Sequence, residues 1–150
     1  MRVLVQRVKK ASVVIDGTLH SSIGNGLLVF VGVEDADDSD DASWLASKVV
    51  NLRLFDDRNG VMNLSAIETG SELMIVSQFT LHASTKKGNR PSYIRAARPE
   101  KAIPLYEEFI TSIEALLGHT VSSGKFGAMM DVNLVNDGPV TIFIDSRNRE

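Results

Sequence analysis

The sequence contains no cysteine. Disulfide bonds, thiolate nucleophiles and cysteine-bound metal therefore have no part in any account of it. Aromatic residues make up only 6% of the chain, with a single tryptophan, so no interleaved stacking platform for single-stranded nucleic acid is visible. No apolar run approaches the roughly 20 residues that cross a bilayer as a helix. Met1-Arg2-Val3 enters a strand-like pattern rather than a secretory leader, and the expected compartment is the cytoplasm. Three histidines occur, His20, His82 and His119, and none has a partner at zinc-ligand spacing. No Ser-His-Asp order and no nucleophile elbow is present.

What remains is an ordinary globular composition. Hydrophobic residues are 43% and charged residues 23% of 150, and there is no internal repeat, so one domain is expected over residues 1–150. The net charge of −3 is unevenly spread. Lys86, Lys87, Arg90, Arg95, Arg98 and Lys101 face only Glu100 in the stretch from Ser84 to Lys101. Arg2, Arg7, Lys9 and Lys10 form a second basic group. Such strips serve as solvated faces or as docking sites for phosphates. In an acidic chain, one local contact with a polyanion fits better than broad coating of nucleic acid.

The pattern along the chain is mostly that of strands. Arg2 to Ile15 is rich in β-branched residues, Asp16-Gly17 supplies a turn, and Leu19 to Ile23 returns. Gly24-Asn25-Gly26 turns into the fully apolar Leu27 to Val33. The acids from Glu34 to Asp41 precede a helix that places Leu45, Val49 and Leu52 on one face. They lack the glycine and terminal glutamate of a calcium loop. A short hairpin around Asp57-Arg58-Asn59-Gly60 follows. A second helix carries Leu105, Phe109, Ile113 and Leu116 inward, begins at Pro99 or Pro104, and stops at Gly118. Further strands are expected at Val121, Phe126 to Val135 and Val140 to Asp145. The fold class expected is α/β: two packed, largely antiparallel or mixed β-sheets with two helices on one side, a three-layer α/β/β domain.

Two stretches carry chemistry. From Leu73 to His82 a buried strand pattern becomes polar on one face, through Gln78, Thr80 and His82, which is how a central strand delivers side chains into a cleft. On such a strand Thr80 and His82 lie about 6.6 Å apart with parallel side chains, a poor arrangement for a hydroxyl and its base. The second stretch, Asn136-Asp137-Gly138-Pro139-Val140-Thr141, reads on its own as a turn between two strands.

Together, Ser77-Gln78-Phe79-Thr80-Leu81 and Asn136-Asp137-Gly138-Pro139-Val140-Thr141 resemble the two signature motifs of the D-aminoacyl-tRNA deacylase family. The resemblance extends over the whole chain, through Met1-Arg2-Val3-Leu4-Val5-Gln6-Arg7-Val8 and Phe126-Gly127-Ala128-Met129-Met130. It implies an enzyme that hydrolyses the ester joining a D-amino acid, or glycine, to the 3′ end of tRNA. It implies no cofactor and no metal ion. It implies a homodimer with each active site at the subunit interface, and a cis Gly138-Pro139 bond inserted into the partner's pocket as a chiral filter. Ser77, Gln78, Phe79 and Thr80 would line the reaction centre, with main-chain N–H groups near Phe79 and Thr80 holding the oxyanion. Phe126 and Met130 would lie near the terminal adenosine. Arg7, Lys86, Lys87 and Arg90 would meet phosphates of the acceptor arm. An activated aminoacyl ester needs little beyond positioning and oxyanion stabilisation, and Thr80 as a covalent nucleophile is the rival mechanism. A non-catalytic RNA-binding module and a metal-dependent hydrolase are the alternatives from other classes.

Overall fold

A computed structural model describes residues 1–149. Strand β1 (Arg2–Ile15) runs into a tight turn at Asp16 and Gly17, with φ of 50° and 74°, and returns as β2 (Thr18–Ile23). Positive φ at both central residues matches the right-handed twist of the flanking strands. Strand β3 (Gly26–Gly32) is followed by the acidic loop and helix α1 (Ser39–Asn51). The acids of that loop do structural work. Asp38 caps α1 by accepting from the N–H groups of Asp40 and Asp41, and Asp41 accepts from Asp38 in return. Asp37 is buried against the Met1 ammonium.

Strands β4 (Phe55–Asp56) and β5 (Met62–Leu64) form the short hairpin. A one-turn helix α2 (Ala66–Thr69), closed by a Ser65–Glu68 capping box and left-handed Gly70, is absent from the sequence expectation. Then come β6 (Glu72–Ser77), α3 (Pro99–Leu117), β7 (Ser122–Ser123) and β8 (Asp131–Asp145). Helix α3 starts at Pro99, where a missing N–H costs nothing, and ends at left-handed Gly118.

The main sheet runs β2-β1-β3-β6-β7, with β8 along the other side of β1. It is mixed: β3–β6 and β6–β7 are parallel, and the other pairs are antiparallel. The α/β class is as expected, but the layers arise differently. Apart from the β4–β5 hairpin, the two packed layers are halves of one sheet. The far ends of β1 and β2 (Val8, Ala11, Val13, Ile23) curl over to bury Leu28, Met74 and Val76 on the face away from the helices. Hydrogen bonds from Ser21 to the Ser123 carbonyl and from Ser122 to the Ser22 carbonyl hold β2 against β7. On the other face Val3, Val5, Val29, Val31, Leu73 and Ile75 pack under Leu45 and Val49 of α1 and Leu105, Phe109 and Ile113 of α3. Three further expectations are corrected. Leu116 faces solvent and Leu117 packs instead. Phe126 to Met130 is a loop, because Gly127 at φ 76° breaks the strand. The strand from Leu73 ends at Ser77. Among the described residues no helix is long and apolar enough to cross a membrane.

Candidate functional site

Strand β6 is buried from Leu73 to Val76 and reaches the sheet's end at Ser77. Gln78 still donates its N–H to the Val31 carbonyl at 2.7 Å, and the chain then tightens into a 3-10 turn over Phe79–His82. The turn is entered by a bond from Leu81 N–H to the Gln78 carbonyl and closed by one from Ala83 N–H to the Thr80 carbonyl. The N–H groups of Phe79 and Thr80 precede these bonds and have no partner among the described residues, as expected at the start of a helical turn. Gly32 allows the turn to lie against β3. A Cβ there would stand 2.9 Å from the Gln78 carbonyl oxygen and 3.1 Å from Leu81 Cβ.

Ser77, Gln78 and Phe79 open onto a small cavity of about 90 Å³, shared with Val31, Ala102, Tyr106 and Phe126. Its floor is rigid: Tyr106 is buried and donates to the Ile75 carbonyl at 2.9 Å, and its ring lies 5.9 Å from that of Phe126. Burial pushes the Tyr106 phenol well above its usual range. Thr80 accepts a hydrogen bond from the Gln78 side-chain amide at 2.5 Å. A donor on the hydroxyl oxygen cannot take its proton, so this contact orients Thr80 without activating it. Of the two residues carried over for the adenosine, Phe126 lines the cavity. Met130 lies on the other face of the sheet, packed among the apolar residues under Met74 and Val76.

His82 is not a strand neighbour of Thr80. It closes the turn, fully buried, and among the described residues neither ring nitrogen has a hydrogen-bond partner. The Glu34 carboxylate lies 3.9 Å from Nδ1. Burial holds the His82 pKa below its ordinary value, although the nearby Gly32 backbone and then the Glu34 carboxylate pull the other way. Glu34 is itself ionised below its usual range: burial raises it, but the Arg95 bond at 2.8 Å, the Arg95 charge and the nearby His82 and amino terminus together outweigh that.

The second motif is a bulge in β8, not a turn between two strands. Thr141 pairs with Gln6 and Asn136 with Val8, so Asp137, Gly138, Pro139 and Val140 stand opposite Arg7 alone. Proline has no N–H to contribute to a ladder. The Gly138-Pro139 bond is cis, and both residues are exposed. The foot of the bulge is braced from three sides. Val140 is buried in the core. The Asn136 amide donates to the carbonyls of Arg7 at 2.9 Å and Val140 at 3.1 Å. Arg7, only 12% exposed, donates to the Asp137 carbonyl at 3.2 Å and the Leu54 carbonyl at 2.6 Å, and pairs with the carboxylates of Asp56 and Asp137. Arg7 is thus turned inward and occupied by the bulge, whereas Lys86, Lys87 and Arg90 are exposed. Those three sit in a loop closed by paired Ser84–Ser92 bonds and tied to the turn by Tyr93, whose ring meets Phe79 edge-on at 5.1 Å.

Within one chain the two motifs stand apart. Leu81 reaches β1 at Arg2 and the bulge reaches it at Arg7. Those levels are about 17 Å apart along a strand.

The model of the family described as D-Tyr-tRNA(Tyr) deacylase matches residues 4–145. The chain belongs to that family. Curated relatives include proteins of Parabacteroides distasonis and Porphyromonas gingivalis, each 61% identical over 150 residues and covering 100% of both chains, and each named D-aminoacyl-tRNA deacylase. A solved structure described as a c-Myc DNA unwinding element binding protein superposes with a TM-score of 0.91 at 36% identity, covering 97% of this chain and 98% of that one. A probable eukaryotic D-amino acid tRNA deacylase shares the fold, with a TM-score of 0.81 at 16% identity over 95% of this chain and 97% of that one. In this deacylase-family chain, sequence reasoning missed Gly32, and it missed the bracing roles of Asn136 and Arg7, though it had named both residues. Gly32 left a signal as the small residue that ends an otherwise apolar strand, and Asn136 as the first residue of the second motif.

Proposed function

We propose that this chain hydrolyses D-aminoacyl-tRNA in the cytoplasm, splitting the ester between the D-amino acid and the 3′ end of the tRNA. It works as a homodimer in which the Gly138-Pro139 bulge of one copy enters the cavity beside the Phe79–His82 turn of the other. The observation that carries this reading is the separation of the two motifs within one chain, one an unfilled cavity and the other an exposed, braced projection. A two-fold pair of copies brings each bulge to the other's turn. The uncovered sheet face supports the same arrangement. Val3 and Val5 are buried beneath the helices, so Leu4 faces the opposite way, beside its cross-strand neighbours Phe30 and Phe143. Phe143 is 53% exposed in the single chain, and among the described residues no helix packs on this side.

The chemistry follows from the main chain. Water attacks the ester carbonyl, the free N–H groups of Phe79 and Thr80 hold the developing oxyanion, and the C–O bond breaks as the ribose 3′-oxygen departs with a proton given up by that water. The terminal 2′-hydroxyl orders the attacking water. Thr80, held by the Gln78 amide, shapes the site rather than attacking. Main-chain atoms of Gly138 and Pro139 from the partner contact the amino group and leave no space for an L side chain. Glycine, with nothing to clash, is also accepted, so the enzyme proofreads chirality and removes misplaced glycine. Phe126 packs by the terminal adenosine, and Lys86, Lys87 and Arg90 meet acceptor-arm phosphates. The test is hydrolysis of D-tyrosyl-, L-tyrosyl- and glycyl-tRNA with and without chelator. Loss of the D and glycyl esters alone, unaffected by chelator, is expected. Equal hydrolysis of D and L esters contradicts the reading.

A further inference from the structure

We propose that Arg2 is a positioning residue for this reaction, a guanidinium strut that fixes the turn bearing the oxyanion donors. The inference rests on the deacylase reading above and extends it to a residue outside both motifs. A 3-10 turn has poor hydrogen-bond geometry and leaves its last carbonyls unsatisfied. Arg2 supplies what the turn lacks: its Nη1 donates to the Leu81 carbonyl at 2.9 Å. The same guanidinium is aimed by a second bond, from Nε to Asp145 Oδ2 at 2.8 Å. Its carbon lies 5.8 Å from the centre of the Phe143 ring, which limits rotation of the plane.

The geometry couples three elements. Asp145 ends β8, Arg2 opens β1, and Leu81 belongs to the turn. A cation at the carboxyl end of a helical turn complements its partial negative charge, and here the cation is itself held in place. The planar fork lets one group bind a carboxylate and a carbonyl at once, which an ammonium on a flexible stem does poorly. Arg2 touches neither the cavity nor any reacting atom; it acts through the position of the Leu81 carbonyl. The Gln78–Leu81 bond passes that position back to Phe79 and Thr80.

The test compares Arg2→Met, Arg2→Lys and Asp145→Asn with the wild type in single-turnover hydrolysis of D-tyrosyl-tRNA, with KM, Tm and amide exchange at Phe79 to Ala83. Arg2→Met is expected to lower kcat at least tenfold with KM within twofold and to speed amide exchange in the turn. A displacement near 1 Å is enough for such a loss. Arg2→Lys is expected to lie between the two, and millimolar ethylguanidinium to restore part of the kcat of Arg2→Met. Arg2→Met combined with Asp145→Asn is expected to be no worse than Arg2→Met alone, since both break one strut. Unchanged kcat in Arg2→Met, or a loss that merely follows Tm in all variants, overturns the inference while leaving the deacylase reading intact. A folded wild type inactive on D-tyrosyl-tRNA overturns both.

Discussion

The Phe79–His82 turn is held mainly by main-chain bonds, with Arg2 as its one side-chain strut, whereas the Asp137–Val140 bulge is held mainly by side chains, Arg7 from β1 and Asn136 from its own strand. The turn sits where β6 leaves the sheet, fixed by the Gln78–Val31 bond and pressed against a glycine. Its first two N–H groups, of Phe79 and Thr80, have no partner among the described residues, because the local geometry gives them nothing to bind. The bulge is pushed out of an edge strand, exposed at its tip and tied down at its foot by Arg7 and Asn136. The first construction keeps donors in place within one chain; the second presents a rigid surface outward. They suit a reaction centre and a template supplied to another copy.

Breaking the turn should have the largest effect. Gly32→Ala places a Cβ 2.9 Å from the Gln78 carbonyl, and the turn must shift because its neighbour there is backbone. We expect kcat to fall about 100-fold and stability to drop by about 1–3 kcal/mol, read from single-turnover rates and urea melts. Near-wild-type kcat would separate the turn from the chemistry.

Breaking the bulge's brace comes next. Arg7→Ala removes bonds to the Leu54 and Asp137 carbonyls, so a loss of roughly 2 kcal/mol in stability is expected, with slower hydrolysis of the D ester. The salt dependence of tRNA binding should keep its slope, since Arg7 is turned inward. A slope reduced by about one unit would make Arg7 a phosphate contact instead. Lys86→Ala with Lys87→Ala sharpens the contrast: KM rises a few-fold and the salt slope flattens, with kcat unchanged.

The smallest effect concerns His82 behind the turn. Its folded pKa lies below the unfolded value because the ring is buried. Below about pH 6.5 the unfolded chain takes up a proton there before the folded one does. Stability is therefore full above that pH and falls as pH drops through the folded pKa. His82→Leu should flatten the melting temperature between pH 7 and 5.5. Asp145 and Glu34, whose folded values are also lowered, lose their contribution only below about pH 4. An unaltered pH profile in His82→Leu would remove His82 as its source.

The strands and both long helices were legible because their apolar periods are clean, as in the alternation of Val3 and Val5 in β1. The site was legible as two motifs and not as a shape. The polar face beyond Ser77 looked like continuing strand, since period alone cannot tell a strand from a short turn. Arg7 looked like a surface cation, because sequence does not reveal which carbonyls are left without partners inside a bulge. Met130 shared a loop with Phe126 but packs beneath the opposite face.

Subunit mixing tests the central claim that the turn of one copy works with the bulge of the other. Chains carrying Gly32→Ala and chains carrying Arg7→Ala, each impaired alone, are unfolded together and refolded as a mixture. Each mixed dimer then has one site made of an intact turn and an intact bulge, so random pairing should recover about a quarter of wild-type kcat/KM on D-tyrosyl-tRNA. A mixture no more active than the average of the two parents would contradict the account and place both motifs of a site in one chain.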